Sequence, residues 1–166
     1  TSGQIDSIHT FKEGLLDGKT EYNVYGKLII KQEYKSGKKN GNFIEYYTDG
    51  NKKVTGSYLM NLPNDEWTWY DLKEFKTRQI NFKNGLKHGD FNVWKDNDLY
   101  LSGIFDEDKK SGTWRWHRTK KDLDSLVNYV NGEINGLYEA WYDNGVLSVK
   151  GSFESGVRSG KWEWFS

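Results

Sequence analysis

The stretch YEAWYDNGVLSVKGSFESGVRSGKWEWF, residues 138–165, contains seven aromatic residues and neither proline nor cysteine. Its segment GVRSG, residues 156–160, begins and ends with glycine, the residue that best tolerates positive φ, which predicts a turn. The flanking segments SVKGSF and KWEWF alternate with a period of two, so that Trp162 and Trp164 share one face. The stretch is therefore predicted to contain a β-hairpin.

The same pattern recurs along the chain every 23 to 24 residues. A fixed period of this length indicates a repeat architecture. The equivalents of Gly160 are Gly18, Gly41, Asp65, Gly89, Gly112 and Gly136, and seven residues before each member of the series stands an aromatic residue: Phe11, Tyr34, Tyr58, Phe82, Phe105, Tyr129 and Phe153.

Each period has room for two strands and one five-residue turn, such as GKKNG or NLPND. The sequence thus predicts an all-β fold, an elongated antiparallel β-meander of stacked hairpin repeats with about 13 strands and no helix. It would hold about six repeats with half-repeats at the ends, in a single-layer or shallowly curved sheet. The most helix-like stretch, TKKDLDSLVN at 119–128, lies in register with the repeats and is predicted to hold a turn and a strand. Residues 1–166 are expected to be a single array.

Three repeats carry a Trp-x-Trp pair: Trp67/Trp69, Trp114/Trp116 and Trp162/Trp164. Pairing the aromatic residue before each turn with the first tryptophan after it predicts a register that brings glycine opposite the second tryptophan. The predicted pairs are Gly56 with Trp69, Gly103 with Trp116, and Gly151 with Trp164. Most glycines are therefore interpreted as turn residues or as space for a ring.

The aromatic face is the first candidate site. Aromatic residues are 16% of a chain that is only 35% hydrophobic, so the rings are needed as core. A partly open groove would also bind a protein or stack a sugar, which leaves glycan binding as an alternative. The candidate partner-binding residues are Trp67, Trp69, Trp114, Trp116, Trp162, Trp164 and Phe165. Lys161 to Phe165 are further predicted to form an edge strand suited to pairing with a partner or a second copy.

Lysine pairs in several turns form the second candidate site. Lys38, Lys39, Lys109 and Lys110 are candidate contacts for anionic lipid headgroups, which would give peripheral membrane contact. Lys120 and Lys121 form a similar pair. The competing interpretation is that these lysines guard a solvated sheet edge.

Composition argues against several other classes of function. The chain has 24 basic and 24 acidic residues, so it lacks the basic face of a nucleic-acid binder. No catalytic or cofactor fingerprint occurs, and His9, His88 and His117 occupy unrelated repeat positions. The acidic run 106–108 is typical of a solvated turn rather than of a calcium site. We therefore predict no enzyme activity, no cofactor and no metal.

The chain resembles bacterial proteins with MORN-type repeats (membrane occupation and recognition nexus), of the variant form YxNGxxxxxGxFxNGxxxGxWxxY. The segment YDNGVLSVKGSFESGVRSGKWEWF matches this pattern closely, and YTDGNKKVTGSY and YKSGKKNGNFIEYY match in part. The resemblance departs at NLPND and DEDKKSG, where Asn or Asp replaces glycine, and at WYDLKEFKTRQIN and HRTKKDLDSLVN, which lack the second Asn-Gly. The resemblance implies stacked β-hairpins in an antitoxin-like protein or in a scaffold that contacts proteins or lipids.

The expected function is a non-enzymatic protein-interaction scaffold with an unidentified protein partner. A module that binds glycans or anionic lipids is the alternative. Because the sequence begins at Thr1, a mature exported bacterial protein without its signal peptide is a further expectation.

Overall fold

The computed structural model describes residues 5–119 and 122–166. This part of the chain is all-β, without a helix, and its strands form antiparallel meanders of hairpin repeats. The predicted fold class is thereby confirmed. The described residues form 16 strands rather than about 13, because three short strands precede the first full repeat. The chain divides into two compact units, Thr1–Leu86 (unit 1) and Lys87–Ser166 (unit 2).

Unit 1 contains one meander sheet and a short hairpin. The hairpin pairs β2 with β3, and the strand order in the sheet is β1-β4-β5-β6-β7-β8-β9. The strands are β1 (Ile5–Ile8), β2 (Phe11–Lys12), β3 (Leu15–Leu16), β4 (Gly18–Val24), β5 (Lys27–Lys35), β6 (Lys38–Tyr46), β7 (Lys52–Leu59), β8 (Leu62–Tyr70) and β9 (Lys76–Lys83).

Unit 2 contains a second run of antiparallel strands in the order β10-β11-β12-β13-β14-β15-β16. They are β10 (Leu86–Lys95), whose first residue is the last of unit 1, β11 (Asp98–Asp106), β12 (Lys109–His117), β13 (Leu123–Val130), β14 (Glu133–Trp141), β15 (Leu147–Glu154) and β16 (Val157–Trp164). Strand β13 confirms the strand predicted within 119–128, while Lys120 and Lys121 lie outside the described residues. Strand β16 includes most of the strand predicted at 161–165.

The hairpin turns are shorter than predicted. In β7–β8, Leu59 pairs with Leu62, so the turn consists of Met60 and Asn61 alone. Both residues have positive φ, 51° and 73°, as a type I′ turn requires. The predicted five-residue turn 61–65 is therefore wrong, and its first residue is the second residue of the turn.

The last residue of five predicted turns lies in a bulge of the returning strand: Gly41, Asp65, Gly112, Gly136 and Gly160. In β7–β8, Thr55 pairs with Thr68 and Ser57 with Asn64, so Gly56 alone faces the three residues 65–67. Asp65 in this bulge has a φ of 58°, and its six equivalents are all glycines with positive φ. The five residues of the predicted turn are thus divided between a shorter turn, the start of the returning strand and a bulge.

Because of this bulge, the observed strand register differs from the predicted one by two residues. The second tryptophan of each pair lies opposite an aliphatic residue, since Trp69 pairs with Val54, Trp116 with Leu101 and Trp164 with Val149. The glycine instead lies under the first tryptophan. A Cβ built on Gly56, Gly103 or Gly151 would overlap the indole of Trp67, Trp114 or Trp162.

Successive turns on one edge are joined by backbone hydrogen bonds. In unit 1, Asn61 N–H donates to Lys39 O over 2.9 Å and Gly85 N–H to Pro63 O over 2.8 Å. In unit 2, Gly132 N–H donates to Lys110 O and Gly156 N–H to Ile134 O, each over 2.9 Å. These bonds tie each hairpin to the preceding one in addition to the strand ladder.

Candidate functional site

The aromatic face consists of repeated ring clusters. Cluster 1, in unit 1, is built around Trp67, which contacts rings from four other positions at centroid distances of 5.0 to 6.3 Å: Phe43, Tyr58, Trp69 and Phe82. Trp67 is 6% exposed, and its Nε1–H donates to Ser57 O over 3.1 Å. Because this ring is both enclosed and hydrogen-bonded, it is core and presents little surface to a partner.

Cluster 2, in unit 2, repeats this arrangement around Trp114, which is 1% exposed. Its other rings are Phe91, Phe105, Trp116 and Tyr129. The ammonium group of Lys110 lies 4.3 Å from the Trp114 ring centroid and 4.7 Å from that of Tyr129. The same ammonium group lies 5.7 Å from the Trp116 ring centroid, so one cation is attracted to three rings of the cluster. Trp69 and Trp116, the second tryptophans of clusters 1 and 2, are half-buried.

Cluster 3, at β16, has fewer rings among the described residues of unit 2. It contains Tyr138, Phe153 and Trp162, with Trp164 beside Trp162, but no ring corresponding to Phe82 of cluster 1 or Tyr129 of cluster 2. Trp164 is 65% exposed, whereas its equivalents Trp69 and Trp116 are half-buried, and Phe165 is 38% exposed. The buried Nε1–H of Trp162 has no acceptor, unlike those of Trp67 and Trp114.

The exposed rings of cluster 3 continue into a neighbouring loop. The Tyr142 hydroxyl donates to Phe165 O over 2.7 Å, and Tyr142 N–H donates to Val146 O over 2.8 Å. Both Tyr142 and Val146 are exposed. We call the four residues Tyr142, Val146, Trp164 and Phe165 the C-terminal patch. Exposed apolar residues linked in this way are a candidate contact site.

Arg118 holds the loop of the C-terminal patch in place. Its guanidinium donates to Tyr142 O over 2.8 Å and to Trp141 O over 3.0 Å, and it forms ion pairs with Asp124 and Asp143. Arg118, Tyr142 and Val146 are not among the site residues predicted from the sequence. The recurring tyrosine before an Asp-Gly or Asn-Gly loop was a usable signal, since Tyr47 donates to Tyr70 O in the same way in unit 1.

The four candidate lysines differ in their surroundings. Lys39 Nζ lies 4.9 Å from the Tyr58 ring centroid, and Lys110 lies over rings of cluster 2, so these two cations are engaged with the aromatic face. Lys38 and Lys109 are exposed. The structure therefore leaves one lysine of each pair directed to solvent. Lys120 and Lys121 lie outside the described residues.

Polar groups elsewhere in unit 1 line a cavity of about 290 Å³, to which Lys31, Glu33 and Asn42 contribute. Thr20 and Gln32 border it and are almost fully buried, and Thr20 Oγ1 and Gln32 Oε1 have no hydrogen-bond partner among the described residues. Thr20 stands at the repeat position that Trp67 occupies in cluster 1. The first full repeat therefore has a polar interior where later repeats have a ring.

The histidines occupy separate places. His88 Nδ1 lies 3.1 Å from Asp106 Oδ1 at the surface of unit 2. Burial, together with the nearby charge of Arg115, lowers the pKa of His117.

Within residues 5–119 and 122–166, no three His, Cys, Asp or Glu side chains come together as metal ligands. The described chain also holds no helix with the length and apolar character needed to span a bilayer.

Comparison of the chain with protein-family models and with curated proteins finds no match in either case.

Proposed function

We propose that this protein is a non-enzymatic protein-interaction scaffold built of MORN-type repeats, and that it binds a protein partner through the C-terminal patch. The observation that carries this proposal is the contrast between Trp164, which is 65% exposed, and its equivalents Trp69 and Trp116, which are half-buried. Exposed tryptophan and tyrosine residues are enriched among the residues that dominate binding energy at protein interfaces. The resemblance to bacterial MORN-type proteins extends the proposal to an antitoxin-like role.

A protein partner fits the C-terminal patch better than a sugar does because the patch includes a strand edge. Among the described residues of unit 2, β16 has a neighbouring strand on one side only, β15. A protein segment added to that edge would gain main-chain hydrogen bonds as well as ring contacts. A sugar stacked on Trp164 would use the ring alone.

Glycan or anionic-lipid binding is the second candidate. The exposed indole of Trp164 supports the glycan form, and the exposed Lys38 and Lys109 support the lipid form. The lipid form is the less supported of the two because Lys39 and Lys110 are engaged with rings.

The test is co-purification from native cells with the wild-type chain, Trp164→Ser, and the matched control Leu72→Ser. Leu72 is 61% exposed in unit 1 and lies outside the C-terminal patch. We expect Trp164→Ser to weaken capture of the partner about tenfold or more, as removal of a dominant interface residue does, and Leu72→Ser to leave it unchanged. Equal capture by all three proteins contradicts the proposal.

The same three proteins, together with one double lysine variant, separate the alternatives. Binding on a glycan array that Trp164→Ser abolishes, without any captured protein, favours the glycan module. Binding to phosphatidylserine vesicles that is lost in a Lys38→Gln/Lys109→Gln variant and weakened by salt favours the lipid module.

A further inference from the structure

We propose that β16 pairs antiparallel with β16 of a second copy of this chain, with the two Trp162 residues facing each other across a two-fold axis. This inference rests on the proposed function, because it assigns an occupant to the edge of the C-terminal patch. It follows from the backbone direction of β16, the ring that clusters 1 and 2 have at the next strand, and the charges of β16.

The backbone of β16 offers donors and acceptors on its outer side. Phe165 N–H donates to Ser148 O over 2.9 Å, so Phe165 faces β15. In an antiparallel pair, backbone groups point alternately toward and away from the neighbour. The N–H and C=O groups of Trp162 and Trp164 therefore point away from β15, toward the side where the described part of unit 2 has no strand.

Clusters 1 and 2 show which residue an added strand has to supply. Phe82, which covers Trp67, pairs with Asp65 in the bulge. Tyr129, which covers Trp114, pairs with Gly112 at the equivalent position. The ring that covers the first tryptophan, here called the closing ring, thus lies opposite the bulge residue. In β16 the bulge residue is Gly160. An added strand that places a ring opposite Gly160 would complete cluster 3.

A second copy meets this requirement in one register. When Trp162 pairs with Trp162 of the second copy, Trp164 of the second copy lies opposite Gly160. Because the arrangement is two-fold symmetric, each copy supplies the closing ring for the other. The two Trp162 side chains lie side by side at the axis, an aromatic cross-strand pair of the kind that stabilises sheets.

The charges on the opposite face of β16 select the same register. Lys161 is exposed and forms an ion pair over 2.6 Å with the half-buried Glu163, which also lies opposite Lys150 of β15. In the proposed register, Lys161 lies opposite Glu163 of the second copy, and the reverse contact forms at the same time. A shift of two residues in either direction would place Lys161 opposite Lys161 or Glu163 opposite Glu163. Like charges directly opposite destabilise a strand pair, so the neighbouring registers are disfavoured.

Charge reversal tests the pairing. Lys161→Glu and Glu163→Lys each bring like charges together at both symmetry-related contacts, while the double swap Lys161→Glu/Glu163→Lys restores opposite charges. In sedimentation velocity over a concentration series, we expect each single reversal to raise the dimer dissociation constant about tenfold and the double swap to restore it to within about threefold. Circular dichroism of all variants confirms that they are folded.

Disulfide formation tests the register, and the absence of cysteine from the chain leaves no background. Lys161→Cys protein is mixed with Glu163→Cys protein and oxidised. In the proposed register, residues 161 and 163 lie directly opposite each other without mutual backbone hydrogen bonds. The Cα atoms of such a pair are about 4.5 Å apart, a distance that suits a disulfide. We expect the mixed disulfide to exceed either like-with-like product. Preferential like-with-like products overturn the register.

A wild-type chain that stays monomeric at all concentrations overturns the self-pairing. So does a ladder of higher multimers, which would indicate pairing of β16 with a different edge. The test of self-pairing and the test of the proposed function can fail independently of each other. A monomer that still captures the protein partner through Trp164 overturns only this inference, and a dimer with the stated register that captures no partner overturns only the proposed scaffold.

Discussion

At the level of single residues, size complementarity between a strand glycine and the following tryptophan organises the aromatic face. Gly103 leaves room for Trp114, whereas the equivalent positions of the next hairpin hold Val127 and Tyr138, which pair with each other. Where the glycine is replaced by a larger residue such as Val127, the tryptophan is thus replaced by a smaller ring such as Tyr138. The hairpins alternate between these two combinations because a filled position and an indole would compete for the same space.

This complementarity predicts a specific coupling. Gly103→Val should lower the free energy of unfolding by about 1 to 3 kcal/mol because the new side chain overlaps Trp114. The double variant Gly103→Val/Trp114→Tyr reproduces the combination of the next hairpin and should lose less than the sum of the two single changes. Denaturant unfolding of the four proteins measures the coupling.

Ser102→Val on the opposite face is the control and should have little effect on unfolding. Additive losses in the double variant, or equal losses for Ser102→Val and Gly103→Val, would show that Gly103 does not make room for Trp114.

A second prediction at this level concerns Tyr34. Burial, and then the neighbouring Tyr22 hydroxyl at 3.4 Å, raise the pKa of Tyr34 to about 12. The folded state therefore favours the neutral phenol, and this contribution to stability is complete below the ordinary pKa of 10.0 and is lost as the pH rises through about 12. The unfolding free energy of the wild type should fall across this interval more steeply than that of Tyr34→Phe. Parallel pH profiles would contradict the assignment.

At the level of elements, the type I′ turns and the bulges carry out different tasks with the same residue types. Met60 and Asn61 close the β7–β8 hairpin, while Asp65 accommodates the extra residues of the returning strand. Both places need positive φ, which explains why glycine, asparagine and aspartate recur at both ends of each predicted turn. The type I′ turn suits a two-residue hairpin because its twist matches that of the strands.

A substitution in the turn of Met60 and Asn61 should stabilise the folded chain. Met60 is 51% exposed and has a φ of 51°, a conformation that methionine disfavours and asparagine tolerates. We expect Met60→Asn to raise the free energy of unfolding by about 0.5 to 1 kcal/mol, because it removes that backbone cost. Leu59→Asn, next to the turn but within the strand, should not stabilise. Thermal unfolding of both variants is the measurement, and destabilisation by Met60→Asn would argue against a type I′ turn.

At the level of the whole molecule, stability should vary along each unit according to how completely the rings are enclosed. In unit 1, the buried Trp67, Thr68 and Ile80 lie on β8 and β9, and in unit 2 the buried Trp114 and Val127 lie on β12 and β13. Repeat proteins derive their stability from contacts between neighbouring repeats, so strands flanked on both sides by filled clusters should open least often.

Hydrogen exchange measures this gradient. We expect the slowest exchange in β8 and β9 of unit 1 and in β12 and β13 of unit 2, and the fastest in β1 to β3. In unit 2, β16 should exchange faster than β12 unless a partner is bound, and protection of β16 should rise with protein concentration if copies pair there. Uniform protection along each unit would contradict a stability set by neighbouring clusters.

The amino-acid sequence by itself determined the repeat period, two strands in each repeat, the absence of helix in the described chain, and the sharing of one face by the aromatic residues. These features are local, since strand alternation and turn composition are read from a few adjacent residues. The sequence also predicted most of β16, with Trp162 and Trp164 on one face of that strand.

Only the tertiary structure decided the register and the exposure of the rings. Glycine satisfies positive φ equally in a turn and in a bulge, so the sequence did not reveal where the extra residues lie, and the predicted partner of Gly103 was wrong by two residues. Trp67 and Trp162 occupy equivalent positions of their strands, yet Trp67 is buried and Trp162 only half-buried, because burial depends on rings from the next strand, such as Phe82. Burial is a property of the neighbours in space, and those neighbours lie more than ten residues away along the chain.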